Sequence, residues 1–280
     1  MADRLNIKSL LAKHGLRPKR SWSQNFLVDL GVLEAIALAA ELDEEETVVE
    51  LGAGLGALTY FLARDAKRVV AVDRDRDMIA VLKSEFAGNE RVEILEANAA
   101  KLDWPVLVEG LGTSPVVVGN LPYHMATPII FHLLGAGSLL DRWLVMVQRE
   151  MAVRMTAQPG GRDFGVLSVM LQMEADVENV LDVPPDAFLP APRVHSRVVR
   201  FRPLGRTRHK LRDRALFNRM VKGLFAKRRK TLRNGFRQAF GEIDFAMLDA
   251  VMERAEIDPG LRVERLSLEE LARLANELAQ

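Results

Sequence analysis

The stretch Val116-Val117-Val118-Gly119-Asn120-Leu121-Pro122-Tyr123 decides the fold and points to the chemistry. Three β-branched residues and a glycine predict a central parallel strand, buried on both faces. The strand stops in a stiff polar tetrapeptide. Pro122 fixes its own φ and biases Leu121 towards an extended conformation, so the Leu121 carbonyl is kept out of any helix. Asn120 adds a side-chain carbonyl acceptor, and Tyr123 a flat aromatic face with a polar tip. Two aimed acceptors beside an aromatic plate suit a flat base carrying an exocyclic amine. An ordinary proline-containing loop after a strand is the competing reading, and the rest of the chain decides between them.

Upstream, Thr47-Val48-Val49-Glu50-Leu51 predicts a short buried strand. It runs into Gly52-Ala53-Gly54-Leu55-Gly56 and a helix carrying Leu58, Phe61 and Leu62. A strand, a glycine turn and a helix form an entry for a nucleotide-like cofactor, because the glycines let the backbone approach the ligand. The spacing is G-x-G-x-G rather than the G-x-G-x-x-G of dinucleotide binding. Glu50 would set a carboxylate where a pyrophosphate lies, which opposes an NAD-dependent oxidoreductase and suits a cationic sulfonium cofactor with an amino-acid tail. The strand Arg68–Val72 ends at Asp73, seventeen residues after Gly56, where such folds place an acid on ribose hydroxyls. Asp75 and Asp77 serve better as the acids of the helix that follows. A further strand over Arg91–Leu95 leads to Asn98, whose amide is placed to meet an adenine edge.

Downstream of the tetrapeptide, Thr127-Pro128 predicts a capped helix with Ile129, Ile130, Leu133 and Leu134 inward. Trp143–Val147 predicts a strand closing at Gln148-Arg149-Glu150, and Val166–Gln172 and Ser196–Arg202 read as late, antiparallel strands. A helix is expected over 5–14 and another over 29–41, with Leu30, Leu33, Ile36, Ala37 and Ala40 on one side. The basic loop between them carries Trp22 and Phe26; by itself it reads as an ordinary loop closing over the core, from which Asn25 and the backbone near Leu27 can reach a small ligand. Alternating strands and helices predict an α/β, doubly wound, mostly parallel sheet. Ligands of such sheets bind at the carboxyl ends of the strands around the switch point, where the glycine turn, Asp73, Asn98 and Asn120–Tyr123 all fall.

After Pro203 the chain predicts helices, with Phe217, Val221, Leu224, Phe225, Leu232, Phe236 and Phe240 at helical spacing and a capping box at Ser267-x-x-Glu270. The expected division is therefore a catalytic domain over 1–203 with a basic N-terminal arm and a small all-helical domain over 204–280.

Composition bounds the rest. With 49% hydrophobic and 28% charged residues, a chain of 280 residues has ample material for a large core and a small one. It has no cysteine, which excludes disulfides, thiolate metal sites and a cysteine nucleophile. No apolar run approaches a membrane span and no apolar signal core opens the chain. The formal charge of +1 conceals an asymmetry: Arg193–Arg237 holds seventeen Lys or Arg against Asp213 alone, and residues 1–25 hold six, including Arg4, Lys13, Lys19 and Arg20, against Asp3 alone. The rest is acidic. Two basic segments on an acidic body point to a polyanion, nucleic acid being favoured over a merely solvated charged face, and Lys227, Arg228, Arg229, Lys230 and Arg233 are the expected phosphate contacts.

Taken together, these pieces resemble the ribosomal RNA adenine N6-dimethyltransferases, most closely the bacterial small-subunit type. The matching pieces are Ser23-Gln24-Asn25-Phe26-Leu27, Glu50-x-Gly52-x-Gly54-x-Gly56-x-Leu58-Thr59, Asp73 and Asn120-Leu121-Pro122-Tyr123. Further on come Gln148-Arg149-Glu150, Phe188-x-Pro190-x-Pro192-x-Val194-x-Ser196 and Arg228-Arg229-Lys230-Thr231-Leu232. The resemblance implies a Rossmann-like class I methyltransferase that uses S-adenosyl-L-methionine and no metal. It implies cofactor contacts at Asn25, Leu27, Gly52, Gly54, Asp73, Asn98 and Asn120. Asn120 to Tyr123 match the catalytic tetrapeptide, and Phe188 an aromatic that stacks on a flipped target base. The implied substrate is a pair of adjacent adenosines in a hairpin near the 3′ end of small-subunit (16S) rRNA, methylated during ribosome biogenesis by a monomeric cytoplasmic enzyme. A non-enzymatic ribosome-assembly factor and a large-subunit rRNA methylase are the alternatives. The chain departs from the family pattern at Ser23 (usually Gly), Ala53 (Pro), Arg74 (an apolar residue), Phe164 (Tyr), His195 (Asp) and, most relevantly, Asn98, where an aspartate is expected to accept from the cofactor's adenine N6. Asn keeps a carbonyl acceptor there and loses the charge.

Overall fold

A computed structural model describes residues 6–19, 24–241 and 244–280. Arg4, Arg20, Trp22 and Ser23 lie outside the described residues. The described strands are β1 (Phe26–Leu27), β2 (Thr47–Leu51), β3 (Arg68–Asp73), β4 (Val92–Glu96), β5 (Val116–Asn120), β6 (Trp143–Gln148), β7 (Ala175–Val183), β8 (Phe188–Leu189) and β9 (Ser196–Pro203). Seven of them form one sheet in the order β4-β3-β2-β5-β6-β9-β7, while β1 and β8 pair apart as an antiparallel ribbon. From β4 to β6 all pairings are parallel, and β9 returns antiparallel to β6. The chain leaves β2 towards β3 and β4, then comes back to the other side of β2 as β5. The switch point thus lies between β2 and β5, and the glycine turn and Asn120 sit at its mouth.

The strands that read as continuous apolar runs are those buried on both faces. Every residue of β2 is buried, Glu50 included, as are Val116–Gly119 of β5. Gly119 is required by proximity, since a Cβ there would come within 2.9 Å of the Leu51 carbonyl on the neighbouring strand. In the turn after β2, Gly52, Gly54 and Gly56 all take positive φ, which side chains other than glycine's adopt at a cost.

The chain divides into two compact units. The first holds the residues up to Ala152 together with Glu178–Pro203, and the second holds Val153–Val177 and Leu204–Gln280. The segment Val153–Val177 thus departs from the expected division at 203/204. Phe164, Val169 and Met173 from that segment belong to the second unit's own core, with Phe217, Val221, Leu224 and Phe236. The helices Arg214–Ala226, Leu232–Phe240 and Leu268–Leu278 surround that core, and the last opens on the expected capping box between Ser267 and Glu270.

Three local expectations need correction. Val166–Gln172 is a helix, not a strand. Its apolar residues are buried around most of the helix, which erases the period that separates the two readings. Ser168 Oγ donates to the Arg154 carbonyl, and the Gln172 amide donates to the carbonyls of Met155 and Ala157, ties a strand would not make. The helix expected from Thr127-Pro128 starts at Ala126 with no side-chain cap. Leu30, expected inward, is 41% exposed. Among the described residues no helix is long and apolar enough to cross a membrane.

Candidate active site

A pocket in the first unit opens at the carboxyl ends of β2, β3, β4 and β5. The glycine turn supplies Gly52 and Gly54 to its wall, β3 supplies Asp73, the end of β4 supplies Asn98, and β5 supplies Asn120–Tyr123. Asn25, Phe26 and Leu27 line it from the N-terminal segment. The parts touch: a Cβ on Gly52 would meet the Asn120 carbonyl at 3.3 Å, and one on Gly54 the Phe26 ring at 3.3 Å. Phe188 does not line this pocket. It is 4% exposed, sits in the first unit's apolar core and pairs with Leu27 in the β1–β8 ribbon.

Asp73 is held by its surroundings. One carboxylate oxygen accepts from the Gly54 N–H at 2.9 Å and the other from the Asp75 N–H at 2.8 Å. The first bond ties the glycine turn to β3. Each oxygen keeps lone pairs for further donors. Burial pushes the Asp73 carboxyl above its ordinary value, opposed by these backbone bonds. Glu50, beneath the turn, is 2% exposed, and Thr59 Oγ1 donates to its Oε2 at 2.5 Å. Burial pushes Glu50 up to about 8, the Thr59 bond opposes that rise, and the Asp73 charge adds to it. At neutral pH this carboxyl is therefore chiefly protonated, and a cation beside it would favour its ionised form.

The amide orientations follow from their partners. Asn120 Nδ2 donates to the Asn25 carbonyl at 3.3 Å, which leaves Asn120 Oδ1 as the acceptor offered to a ligand. The Leu121 side chain is buried, and its carbonyl accepts no backbone hydrogen bond among the described residues. Tyr123 begins a 3-10 turn, and its hydroxyl lies 2.8 Å from Ser196 Oγ. Asn98 Oδ1 accepts from the Ala100 N–H at 3.0 Å. The carbonyl expected to meet adenine is thus already engaged in a turn, keeping one lone pair, and Nδ2 is added as a donor.

The N-terminal segment is anchored by ions. Lys19 Nζ lies 2.7 Å from Asp75 Oδ1 and 2.6 Å from Asp77 Oδ2, and the Gln24 amide donates to Asp75 at 2.9 Å. Lys13 pairs with Glu85 at 2.7 Å. Two basic residues assigned by charge alone to a polyanion therefore hold the arm beside the pocket. Sequence reasoning missed this clasp, whose acids lie more than fifty residues away.

The family model for ribosomal RNA adenine dimethylases matches residues 15–280. The chain belongs to the ribosomal RNA adenine dimethylase family. It is similar to the ribosomal RNA small subunit methyltransferase A of Anaeromyxobacter sp. (strain K), 45% identical over 281 residues that take in 97% of each chain. The protein of the same name from Pseudomonas aeruginosa is 40% identical over 264 residues, 94% of this chain and 96% of that one. Among solved structures, a dimethyladenosine transferase from Plasmodium falciparum superposes with a TM-score of 0.76 at 25% identity, over 88% of this chain and 94% of that one. The 23S rRNA methyltransferase ErmE superposes with a TM-score of 0.72 at 24% identity, over 91% and 100%, and shares the fold.

For this member of the ribosomal RNA adenine dimethylase family, the basic run in the second unit is less uniform than its sequence. Arg228 donates to Glu264 at 2.7 Å and to the Arg162 carbonyl at 2.9 Å, and Arg233 pairs with Asp249 at 2.7 Å. Lys227, Arg229 and Lys230 are exposed, and no ion pair joins them to an acid among the described residues.

Proposed function

We propose that this protein transfers methyl groups from S-adenosyl-L-methionine to N6 of two adjacent adenosines in a hairpin near the 3′ end of small-subunit rRNA. The observation that carries the reading is the convergence of the glycine turn, Asp73, Asn98 and Asn120–Tyr123 on one pocket at the switch point. The near-full-length likeness to small-subunit methyltransferases supports the choice of RNA.

The pocket's residues fit that cofactor. Asp73 would accept from ribose hydroxyls with the lone pairs its backbone bonds leave. Asn98 would meet the base, and the Gly52 and Gly54 backbone and Asn25 and Leu27 would flank the rest. Glu50 would ionise beside a cation, as a sulfonium with an ammonium tail requires. The cofactor supplies an electrophilic methyl on sulfur, and that sulfur leaves as a neutral thioether.

The chain's own part is positioning. Adenine N6 is a poor nucleophile because its lone pair is delocalised into the ring. Asn120 Oδ1 and the Leu121 carbonyl would accept the two N6 hydrogens, favour a pyramidal nitrogen and turn its lone pair towards the methyl. Tyr123 offers a face to a base that has left its stack. Phe188 offers a second face only after its side chain leaves the core.

The test is Asn120→Ala, assayed for methyl transfer and RNA binding in parallel. Loss of one aimed acceptor should lower kcat by about 10²-fold or more, with RNA affinity within about threefold of wild type. Undiminished turnover would remove Asn120 from the chemistry.

A further inference from the structure

Resting on the function proposed above, we infer that Ser196 is a positioning residue that pins the Tyr123 ring and that the second methyl transfer depends on it more than the first. Ser196 is fully buried and opens β9, opposite Gln148 at the end of β6. Because β9 runs antiparallel, its first residue lands at the edge where the parallel strands end, the same edge as Asn120 and the tetrapeptide. The Arg149 N–H donates to the His195 carbonyl at 3.0 Å and fixes that corner. From there Ser196 Oγ reaches the Tyr123 hydroxyl at 2.8 Å. The ring that lines the pocket is half-buried, so this bond is what sets the angle of its outer end.

The asymmetry between the two transfers follows from counting hydrogens. Each transfer forms an N6–C bond, breaks the sulfonium S–C bond with the electron pair left on sulfur, and releases one N6 proton to solvent. Unmodified adenine has two N6 hydrogens for two acceptors, Asn120 Oδ1 and the Leu121 carbonyl. The monomethyl product has one, so one acceptor is idle in the second transfer. Orientation of the base then rests more heavily on the aromatic face against it, and a loosened Tyr123 penalises the second step.

The test uses unmethylated small ribosomal subunits and S-adenosylmethionine, with nucleoside mass spectrometry resolving N6-methyladenosine from N6,N6-dimethyladenosine. Ser196→Ala and Tyr123→Phe each remove the same hydrogen bond, from opposite sides. Each should slow turnover about fivefold to tenfold. Each should also make N6-methyladenosine accumulate, with the cofactor Kd within about twofold. The double variant should be no worse than either single one, because only one bond is lost. A mono-to-dimethyl ratio for Ser196→Ala equal to wild type, or effects that multiply in the double variant, would overturn the proposal. Should Ser196→Ala fold poorly, Ser196→Cys, which keeps a weak polar partner, should fall between it and wild type in product ratio; a wild-type ratio would overturn the proposal equally. A wild type that makes no methylated adenosine would overturn the underlying function itself, and is told apart because no substitution is needed to see it.

Discussion

At the scale of the residue, Glu50 and Asn98 carry the clearest consequences. Glu50 is a buried carboxyl whose folded pKa of about 8 stands above its ordinary value. The native state thus holds its proton more tightly than the unfolded chain does. The stability this confers is complete below the ordinary carboxylate range and is lost as pH rises towards about 8. Glu50→Gln should flatten that loss, seen as a melting temperature that falls less between pH 5 and about 8 than in wild type. The same sign governs binding. The ionised carboxylate is the form that attracts a cation, so affinity for S-adenosylmethionine should rise with pH towards about 8 in wild type and not in the variant, by calorimetry. At Asn98 the side-chain oxygen is already bonded to the Ala100 N–H. Asn98→Asp restores a second carboxylate oxygen for an adenine amine while keeping the turn. It should tighten the cofactor Kd by about fivefold, as one charge-assisted bond allows. An unchanged Kd would place the base elsewhere.

At the scale of the element, the pocket exists because β2 and β5 end together with their backbones nearly touching. Gly119→Ala puts a Cβ against the Leu51 carbonyl at 2.9 Å, with Leu121 Cδ2 and Leu51 Cβ each at 3.1 Å. Overpacking of that kind costs about 1–3 kcal/mol, so the melting temperature should drop by roughly 3–10 °C. Gly135→Ala, in a helix with nothing within 4 Å of the added Cβ, should leave it unchanged or higher. Equal effects of the two would mean that the close approach is not what Gly119 serves. The elements legible in the sequence were those with one dominant cause. β2 and β5 are buried on both faces and announce themselves as apolar runs, and the glycine turn and Asp73 follow at fixed offsets along a strand-turn-helix unit. Val166–Gln172 reads as a strand yet folds as a helix, because burial on most sides leaves no period. β7, at the sheet's edge, is not legible in the sequence, since Ala175–Val183 carries three acids and buries only its two end residues. The site's cross-links were invisible for a different reason. Tyr123 and Ser196 are 73 residues apart, and nothing local in either predicts a hydrogen bond between them. Phe188 was assigned by resemblance alone, and the β1–β8 pairing that buries it leaves no local mark in sequence.

At the scale of the whole molecule, folding redistributes the charge that the linear sequence displays. Of the run from Arg193 to Arg237, Arg197, Arg200, Arg202, Arg208, Arg214, Arg228 and Arg233 are paired with acids drawn from elsewhere in the chain. Lys227, Arg229 and Lys230 are the better candidates for RNA phosphates. Reversing those three charges should weaken RNA binding and reduce the slope of log K against log salt by about 2, with the melting temperature unchanged. Arg228→Glu would instead set a carboxylate against Glu264 and should lower the melting temperature first. A salt slope indifferent to the triple change would put the RNA on another face. Residue, element and charge distribution meet in one reaction, the methylation of adenine N6 in small-subunit rRNA at a pocket built by β2 and β5. The most direct measurement is nucleoside mass spectrometry on unmethylated small ribosomal subunits incubated with this protein and S-adenosylmethionine, with large subunits alongside. N6,N6-dimethyladenosine should appear in the small subunit alone. Product confined to the large subunit, or none in either while cofactor and RNA both bind, would contradict it.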